Sequence, residues 1–99
     1  MNMQALMKQA QAMQKSMLDA KNKIDATEFE GNSELVTIKM NGKREVLSVK
    51  IKEDAGLEKD DLEILEDMFA IAANDALSKI EKEISDKLGK QTGGLGGLF

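Results

Sequence analysis

The chain has 99 residues and a net charge of −4, and it contains neither cysteine nor histidine. A chain this short forms one domain and buries only roughly 60 to 65% of its unfolded surface, so a second subunit would add stability. The missing residue types exclude disulfides, the usual zinc ligands, a thiol nucleophile and the commonest general base, and with them most enzyme classes.

The first predicted element is a helix of about 25 residues at the start of the chain. Methionine, alanine, glutamine and lysine form helices well, and neither proline nor glycine occurs before Gly31. Apolar residues recur three and four positions apart, which is the heptad spacing of a packing seam. The seam comprises Met3, Leu6, Ala10, Met13, Met17, Ala20 and Ile24. A helix of this length extends about 40 Å.

The methionine-rich opening has alternatives to core packing. Thioethers bind Cu(I), and a methionine-rich groove can hold apolar helices, but methionine at seam positions is more often adaptable core filler. A secretory signal is not expected, because glutamine and lysine interrupt the apolar positions, and no run of about 18 apolar residues predicts a membrane span. We therefore expect a cytoplasmic protein with no metal, no cofactor and no membrane partner.

Alternating residues then predict three antiparallel strands. The stretch "ATEFEGNS" indicates a short edge strand, and "ELVTIKMNGKREVLSVKI" indicates a hairpin around Asn41-Gly42, which favours a type I′ turn with positive φ angles. One face of the hairpin carries Val36, Ile38 and Met40, followed by Leu47, Val49 and Ile51. An ideal two-residue loop would place Ile38 opposite Glu45, so a bulge or a longer loop is the alternative.

A second long helix follows an acidic connection. Asp60 or Asp61 is its expected N-cap, and the helix is predicted from Leu62 to about Leu88. Asn74 and Asp75 are poor helix formers in its middle. We expect them to form a structural hydrogen bond to a loop or to a partner subunit, and a catalytic carboxylate is the lesser alternative.

These elements predict an α+β fold: a long N-terminal helix, a three-stranded antiparallel meander and a long C-terminal helix. Residues 1–88 form the expected domain, and residues 89–99 form a flexible glycine-rich tail. Helices of about 40 Å overhang strands of about 20 Å, which leaves apolar stripes uncovered and favours a homodimer. The residues assigned to the core or the dimer interface are Val36, Ile38, Met40, Val49, Ile51, Asn74 and Asp75.

Charge is segregated along the chain. Residues 1–27 carry four lysines against two aspartates, residues 35–52 carry five basic residues against one glutamate, and residues 53–75 carry nine acids against one lysine. Lys8 and Lys15 are seven residues apart and share one helix face, which suits phosphate contacts with little base recognition, but it also suits an ordinary solvated face. A second basic group lies in the hairpin and contains Lys39, Lys43, Arg44, Lys50 and Lys52.

Several stretches together carry a family resemblance. The segments "LMKQAQAMQKSM", "VTIKMNGKREVLSVKI", "LEDMFAIAANDALSKIEKE" and "GGLGGLF" occur in this order and span nearly the whole chain. In this combination the chain resembles the YbaB/EbfC family of bacterial nucleoid-associated proteins.

The resemblance implies a homodimer with joined sheets and projecting helical arms. It also implies a DNA-binding role in the nucleoid that influences gene expression. Because the net charge is acidic, we expect modest affinity and loose sequence preference, and because no catalytic constellation is present, we expect no enzyme activity. Family DNA binding is attributed to the arms, so the implied contacts are Lys8, Lys15, Lys21, Lys79 and Lys82.

Two other functions remain open. A prefoldin-like chaperone would grasp unfolded clients with apolar arm tips, whereas lysine-bearing arms favour DNA. A protein-interaction adaptor would dock a partner on the acidic residues 53–67 or on the tail, where Leu95, Leu98 and Phe99 supply apolar side chains.

Overall fold

The computed structural model describes residues 2–53 and 56–89 and confirms the predicted α+β order. Helix α1 (Met3–Ala26) precedes strands β1 (Phe29–Asn32), β2 (Val36–Met40) and β3 (Val46–Ile51), and a 3₁₀ turn (Lys59–Asp61) leads into helix α2 (Leu62–Leu88). Asp61 is at the N-cap position of α2, and its carboxylate accepts a hydrogen bond from the Glu58 N–H at 2.9 Å. The predicted tail lies outside the described residues beyond Gly89.

Helix α1 packs on the other described residues through its C-terminal part. Its start is capped by Asn2, whose side-chain oxygen accepts hydrogen bonds from the N–H groups of Gln4 and Ala5 at 3.0 and 3.3 Å. The buried residues of the helix are Met17 and Ile24, and every residue from Asn2 to position 16 is exposed. The first 14 helical residues, which span about 20 Å, therefore project from the core as an arm. We call residues 3–16 the α1 arm.

Strands β1, β2 and β3 form an antiparallel sheet in that order, and α2 covers one face of it. In β2, Val36, Ile38 and Met40 point toward the helix and are buried, as alternation predicts. The core of the chain is completed by Ile24, Phe29, Ala72, Ala76, Ile80 and Leu88. The opposite face of the sheet is polar.

A close contact between β1 and α2 fixes their separation. A Cβ on Gly31 would overlap the carbonyl oxygen of Ala72 and would lie 2.7 Å from the Cβ of Ala76. Glycine on the strand and alanine on the helix therefore let the two backbones approach closely. This contact explains why the residues in the middle of α2 are small.

The hairpin turn differs from the expected type I′ turn. The Arg44 N–H bonds the Asn41 carbonyl at 3.0 Å, the Asn41 N–H bonds the Glu45 carbonyl at 3.1 Å, and Arg44 alone among described non-glycine residues has a positive φ, 68°. The loop therefore has three residues, 42–44, and the last of them is the left-handed Arg44. The ladder also shifts between Lys39 and Met40. The longer loop and bulge named as the alternative are therefore present.

Gly42 serves packing rather than turn conformation. Its φ is not in the left-handed region, but a Cβ there would overlap the carbonyl oxygen of Ile24 and approach the Cα of Asp25 to 2.9 Å. The hairpin tip thus rests directly on the backbone of α1 near its C-terminal end.

Strand β3 remains largely uncovered. Val49 and Ile51 continue the inner face of the sheet, yet they are 44% and 42% exposed, because α2 packs on β1 and β2. A groove of about 350 Å³ separates them from Leu65 and Phe69 of α2. Within residues 2–53 and 56–89, apolar surface therefore remains open on one side of the core.

Candidate nucleic-acid interface

The α1 arm presents two exposed lysines on one side. Lys8 and Lys15 are seven residues apart, so at 100° per residue they are nearly in line along the helix. The buried Met17 and Ile24 lie on roughly the opposite side, which directs the lysines away from the core. Neither lysine forms an ion pair with any residue that the structure describes. Both ammonium groups are accordingly available to an anionic ligand.

Lys21 lies in a different position from the other two lysines of α1. It follows Lys15 by six residues and is therefore about 120° away around the helix. Its ammonium is 2.8 Å from the Asp25 carboxylate, and the two side chains are only 25% and 14% exposed. The charge of Lys21 is thus neutralised locally, so its contribution to a phosphate surface is small.

Lys79 holds strand β1 against α2. Its ammonium donates a hydrogen bond to the Glu30 carbonyl at 2.6 Å and lies 3.4 Å from the Asp75 carboxylate. A phosphate would have to compete with both partners. The spacing of four residues from Lys21 to Asp25 and from Asp75 to Lys79 is the sequence signal for these two pairs.

Lys82 is exposed on α2, three residues beyond Lys79, and it has no ion-pair partner among the described residues. Lys23 and Lys87 instead border an open groove of about 390 Å³ between the two helices, where Asp19 and Glu83 also lie. The charges in that groove balance, and Lys87 is within 4.0 Å of Glu83. The five lysines that the family resemblance implies therefore fall into two groups. Lys8, Lys15 and Lys82 have no ion-pair partner among the described residues, whereas Lys21 and Lys79 are held by contacts within the chain.

Asp75 is the acceptor that ties α2 to the end of β1. Its carboxylate accepts a hydrogen bond from the Asn32 N–H at 2.9 Å. That bond, together with Lys79 and against a smaller opposing effect of desolvation, lowers the pKa of Asp75 below its ordinary value of 3.8. Asn74 is exposed on the same helix. Asp75 thus forms a structural hydrogen bond, to the end of strand β1 and not to a loop or a partner subunit.

The hairpin carries cations on the polar face of the sheet. Thr37 pairs with Lys50 and Lys39 pairs with Ser48, and these four residues point away from α2. Lys43 and Arg44 lie in the turn, and Lys52 follows β3. All five basic residues of the hairpin are exposed.

Acidic residues concentrate at the N-terminal end of α2. Glu58, Asp60 and Asp61 precede the helix, and Glu63, Glu66 and Asp67 lie in its first two turns. Electrostatic repulsion therefore disfavours an anionic ligand at this end of the helix. No group of three metal-binding side chains occurs in residues 2–53 and 56–89, and within those ranges no helix has the length and hydropathy to cross a membrane.

Comparison with known proteins gives a consistent identification. Residues 1–95 match the YbaB/EbfC DNA-binding family. A nucleoid-associated protein of Lactococcus lactis is 48% identical over 97 residues, which cover 96% of this chain and 97% of that protein. Nucleoid-associated proteins of Clostridium perfringens and Enterococcus faecalis are 46% and 44% identical, and the alignments cover 99% and 98% of this chain and 90% and 94% of theirs.

Proposed function

Because the chain belongs to the YbaB/EbfC DNA-binding family, we propose that it is a nucleoid-associated protein that binds duplex DNA as a homodimer through its lysine-bearing arms. Its place is the bacterial nucleoid, where binding influences DNA organisation and gene expression. No catalytic step belongs to this function.

The single observation that carries the proposal is the pair Lys8 and Lys15 on the exposed side of the α1 arm. Two unpaired ammonium groups in line on a projecting helix can follow a phosphate backbone. Gln4 and Gln11, also seven residues apart, lie beside this line and add hydrogen-bond donors. Lys82 supplies an additional exposed cation on α2.

Loose sequence preference follows from the chemistry of these side chains. Lysine contacts to phosphate position a protein on the duplex but carry no sequence information. The arm has no arginine, and arginine makes the commonest specific contact to guanine. Binding therefore depends more on salt concentration than on base sequence.

The uncovered apolar surface supports the homodimer. Val49 and Ile51 on β3 are exposed next to Leu65 and Phe69 on α2, and the exposed Leu62 lies one turn from Leu65. A second copy of the chain would cover this surface and join two sheets at the centre of the dimer, leaving the arms free. Such burial contributes about 25 cal/mol for each Å² of apolar area.

Fluorescence anisotropy with a labelled duplex tests the DNA function. The expected result is binding whose log affinity falls linearly with log salt, with a slope of about −0.9 for each phosphate contact. Absence of binding at low salt up to tens of micromolar protein would contradict the proposal. Sedimentation at the same protein concentration reports whether the binding species is a dimer.

One observation favours a second candidate function. Met3, Met7 and Met13 are exposed along the α1 arm, and adaptable methionine surfaces suit apolar segments of many sequences. A chaperone-like arm would slow the aggregation of an unfolded client protein, whereas a DNA-binding arm need not. A light-scattering assay with an unfolded client separates the two functions.

A further inference from the structure

We propose that the outer face of the β2–β3 hairpin is a second surface for the phosphate backbone of duplex DNA, separate from the α1 arm. This inference rests on the proposed DNA function and extends the contact surface from the helical arm to the sheet. The surface, which we call the hairpin surface, comprises Lys39, Lys43, Arg44, Lys50 and Lys52.

The register of the hairpin brings two of these cations, Lys39 and Lys50, onto one face. Lys39 pairs with Ser48, and Lys50 pairs with Thr37 two residues farther along the ladder, so the two lysines are diagonal neighbours about 7 to 8 Å apart at their backbones. Both side chains point away from α2. The turn places Lys43 and Arg44 at one end of this line, and Lys52 follows β3 at the other.

Carboxylates lie near these lysines but do not form ion pairs with them. Glu34 and Glu53 line a shallow groove together with Lys50 and Lys52. Glu45 is engaged with the turn, where its carboxylate accepts a hydrogen bond from the Asn41 side chain at 2.8 Å. Glu30 is opposite Lys39 in the register, but no ion pair joins them. Across the described ranges, no carboxylate lies within ion-pair distance of Lys39, Lys43, Lys50 or Lys52.

The hairpin surface is held in a fixed shape. The Asn41 side-chain oxygen accepts hydrogen bonds from the N–H groups of Lys43 and Glu45 at 2.9 and 3.1 Å, which closes the turn. Gly42 lies against the backbone of Ile24, so α1 supports the tip of the hairpin. A rigid support reduces the ordering cost of binding.

The spacing of the surface suits a duplex. Outer-face positions on a strand repeat about every 6.8 Å, which equals two steps of the 3.4 Å rise along one DNA strand. By this measure, successive outer-face positions of a strand are spaced as every second phosphate of one DNA strand. This match favours a regular phosphate backbone over a single small anion.

The hairpin surface is distinct from the arm. Ile24, on which the turn rests, follows Lys15 by nine residues, or about 14 Å along α1, and Lys8 is about two turns farther out. Lys39 and Lys50 lie beyond the turn on the face of the sheet that α2 does not cover. Substitutions in one group therefore leave the geometry of the other unchanged.

Full-length variants and a labelled duplex provide the test, with anisotropy measured over a range of salt concentrations. We expect Lys39→Gln/Lys50→Gln to weaken binding several-fold and to reduce the salt slope by about 0.9 for each phosphate that the protein no longer neutralises. The matched single variants are Lys50→Gln and Lys59→Gln, since Lys59 is exposed in the acidic 3₁₀ turn. Lys50→Gln should lower the slope, and Lys59→Gln should leave it unchanged.

A variant that adds a positive charge is expected to bind DNA more tightly, a result that loss of folding would not produce. Ser48 is exposed between Lys39 and Lys50 on the same face, so Ser48→Lys should tighten binding and steepen the salt slope. Circular dichroism confirms that each variant keeps the fold.

The outcomes separate this inference from the proposed function. If the wild type binds DNA and Lys8→Gln/Lys15→Gln weakens it while every hairpin variant matches the wild type, the hairpin surface is refuted and the arm stands. If hairpin and Lys59 variants shift equally, the effect is net charge and the hairpin surface is again refuted. If the wild type does not bind DNA, both proposals fail together.

Discussion

The carboxylate of Asp75 accepts a hydrogen bond from the backbone N–H of Asn32 at 2.9 Å, across 43 residues of sequence. Lys79 reinforces the link, because its ammonium contacts Asp75 at 3.4 Å and the Glu30 carbonyl at 2.6 Å. Strand β1 is an edge of the sheet and only four residues long. Two side chains of α2 therefore hold it in place in addition to the ladder it shares with β2.

Asp75 makes the stability of the fold depend on acid pH. Its pKa is lowered from 3.8 in the folded chain, so its contribution is fully present above the unfolded pKa and is lost as pH falls through the lower folded pKa. Asp75→Asn should flatten the decline in unfolding free energy below about pH 4. Urea unfolding at pH 7 and pH 3 measures this, with Asp67→Asn on the same helix as the control. An identical acid dependence in wild type and Asp75→Asn would refute the role of this carboxylate.

Gly31→Ala tests the close contact between β1 and α2. The added Cβ would overlap the Ala72 carbonyl oxygen, so the strand or the helix must shift. We expect a loss of about 1 to 3 kcal/mol in unfolding free energy, which is the usual cost of overpacking. Ser48→Ala, at an exposed position of β3, should stay within about 0.5 kcal/mol of the wild type. Equal stability of Gly31→Ala and the wild type would mean that the two backbones are farther apart.

Val49→Asp tests the proposed dimer surface. Val49 is 44% exposed beside the groove at Phe69, and a carboxylate there would be desolvated without a partner in a dimer. We expect the variant to sediment as a monomer at micromolar concentration, where the wild type sediments as a dimer. Ile71→Asp is the matched control, because Ile71 is also exposed but lies on the side of α2 away from the sheet. Dimers of equal stability in both variants would place the interface elsewhere.

The helices could be predicted from the sequence because their signals are local. The second helix runs from Leu62 to Leu88 as predicted, since its apolar residues repeat regularly and a glycine follows it. The predicted turn type is wrong. Asn41-Gly42 is a strong local signal for a two-residue type I′ turn, but the loop that forms has three residues. In the fold, the reason for Gly42 is its contact with Ile24, which no local pattern reveals.

The candidate DNA-binding residues could likewise be predicted from the sequence only in part. The shared face of Lys8 and Lys15 follows from their spacing alone. The engagement of Lys79 with the Glu30 carbonyl depends on how β1 packs against α2, across 49 residues, and periodicity carries no information about it. Charge and spacing therefore indicate which lysines could contact DNA, and tertiary contacts distinguish those that remain available.

DNA binding by the α1 arm is tested most directly by measuring the salt dependence of duplex affinity for Lys8→Gln/Lys15→Gln beside Gln9→Glu/Ser16→Glu. The two double variants change the net charge of the same arm by the same amount, and each pair of sites is seven residues apart. The predicted result is weaker binding for the lysine variant and a salt slope lower by about 0.9 for each phosphate no longer neutralised, with a smaller effect and an unchanged slope for the control. Equal affinities and slopes in the two variants would contradict binding through Lys8 and Lys15.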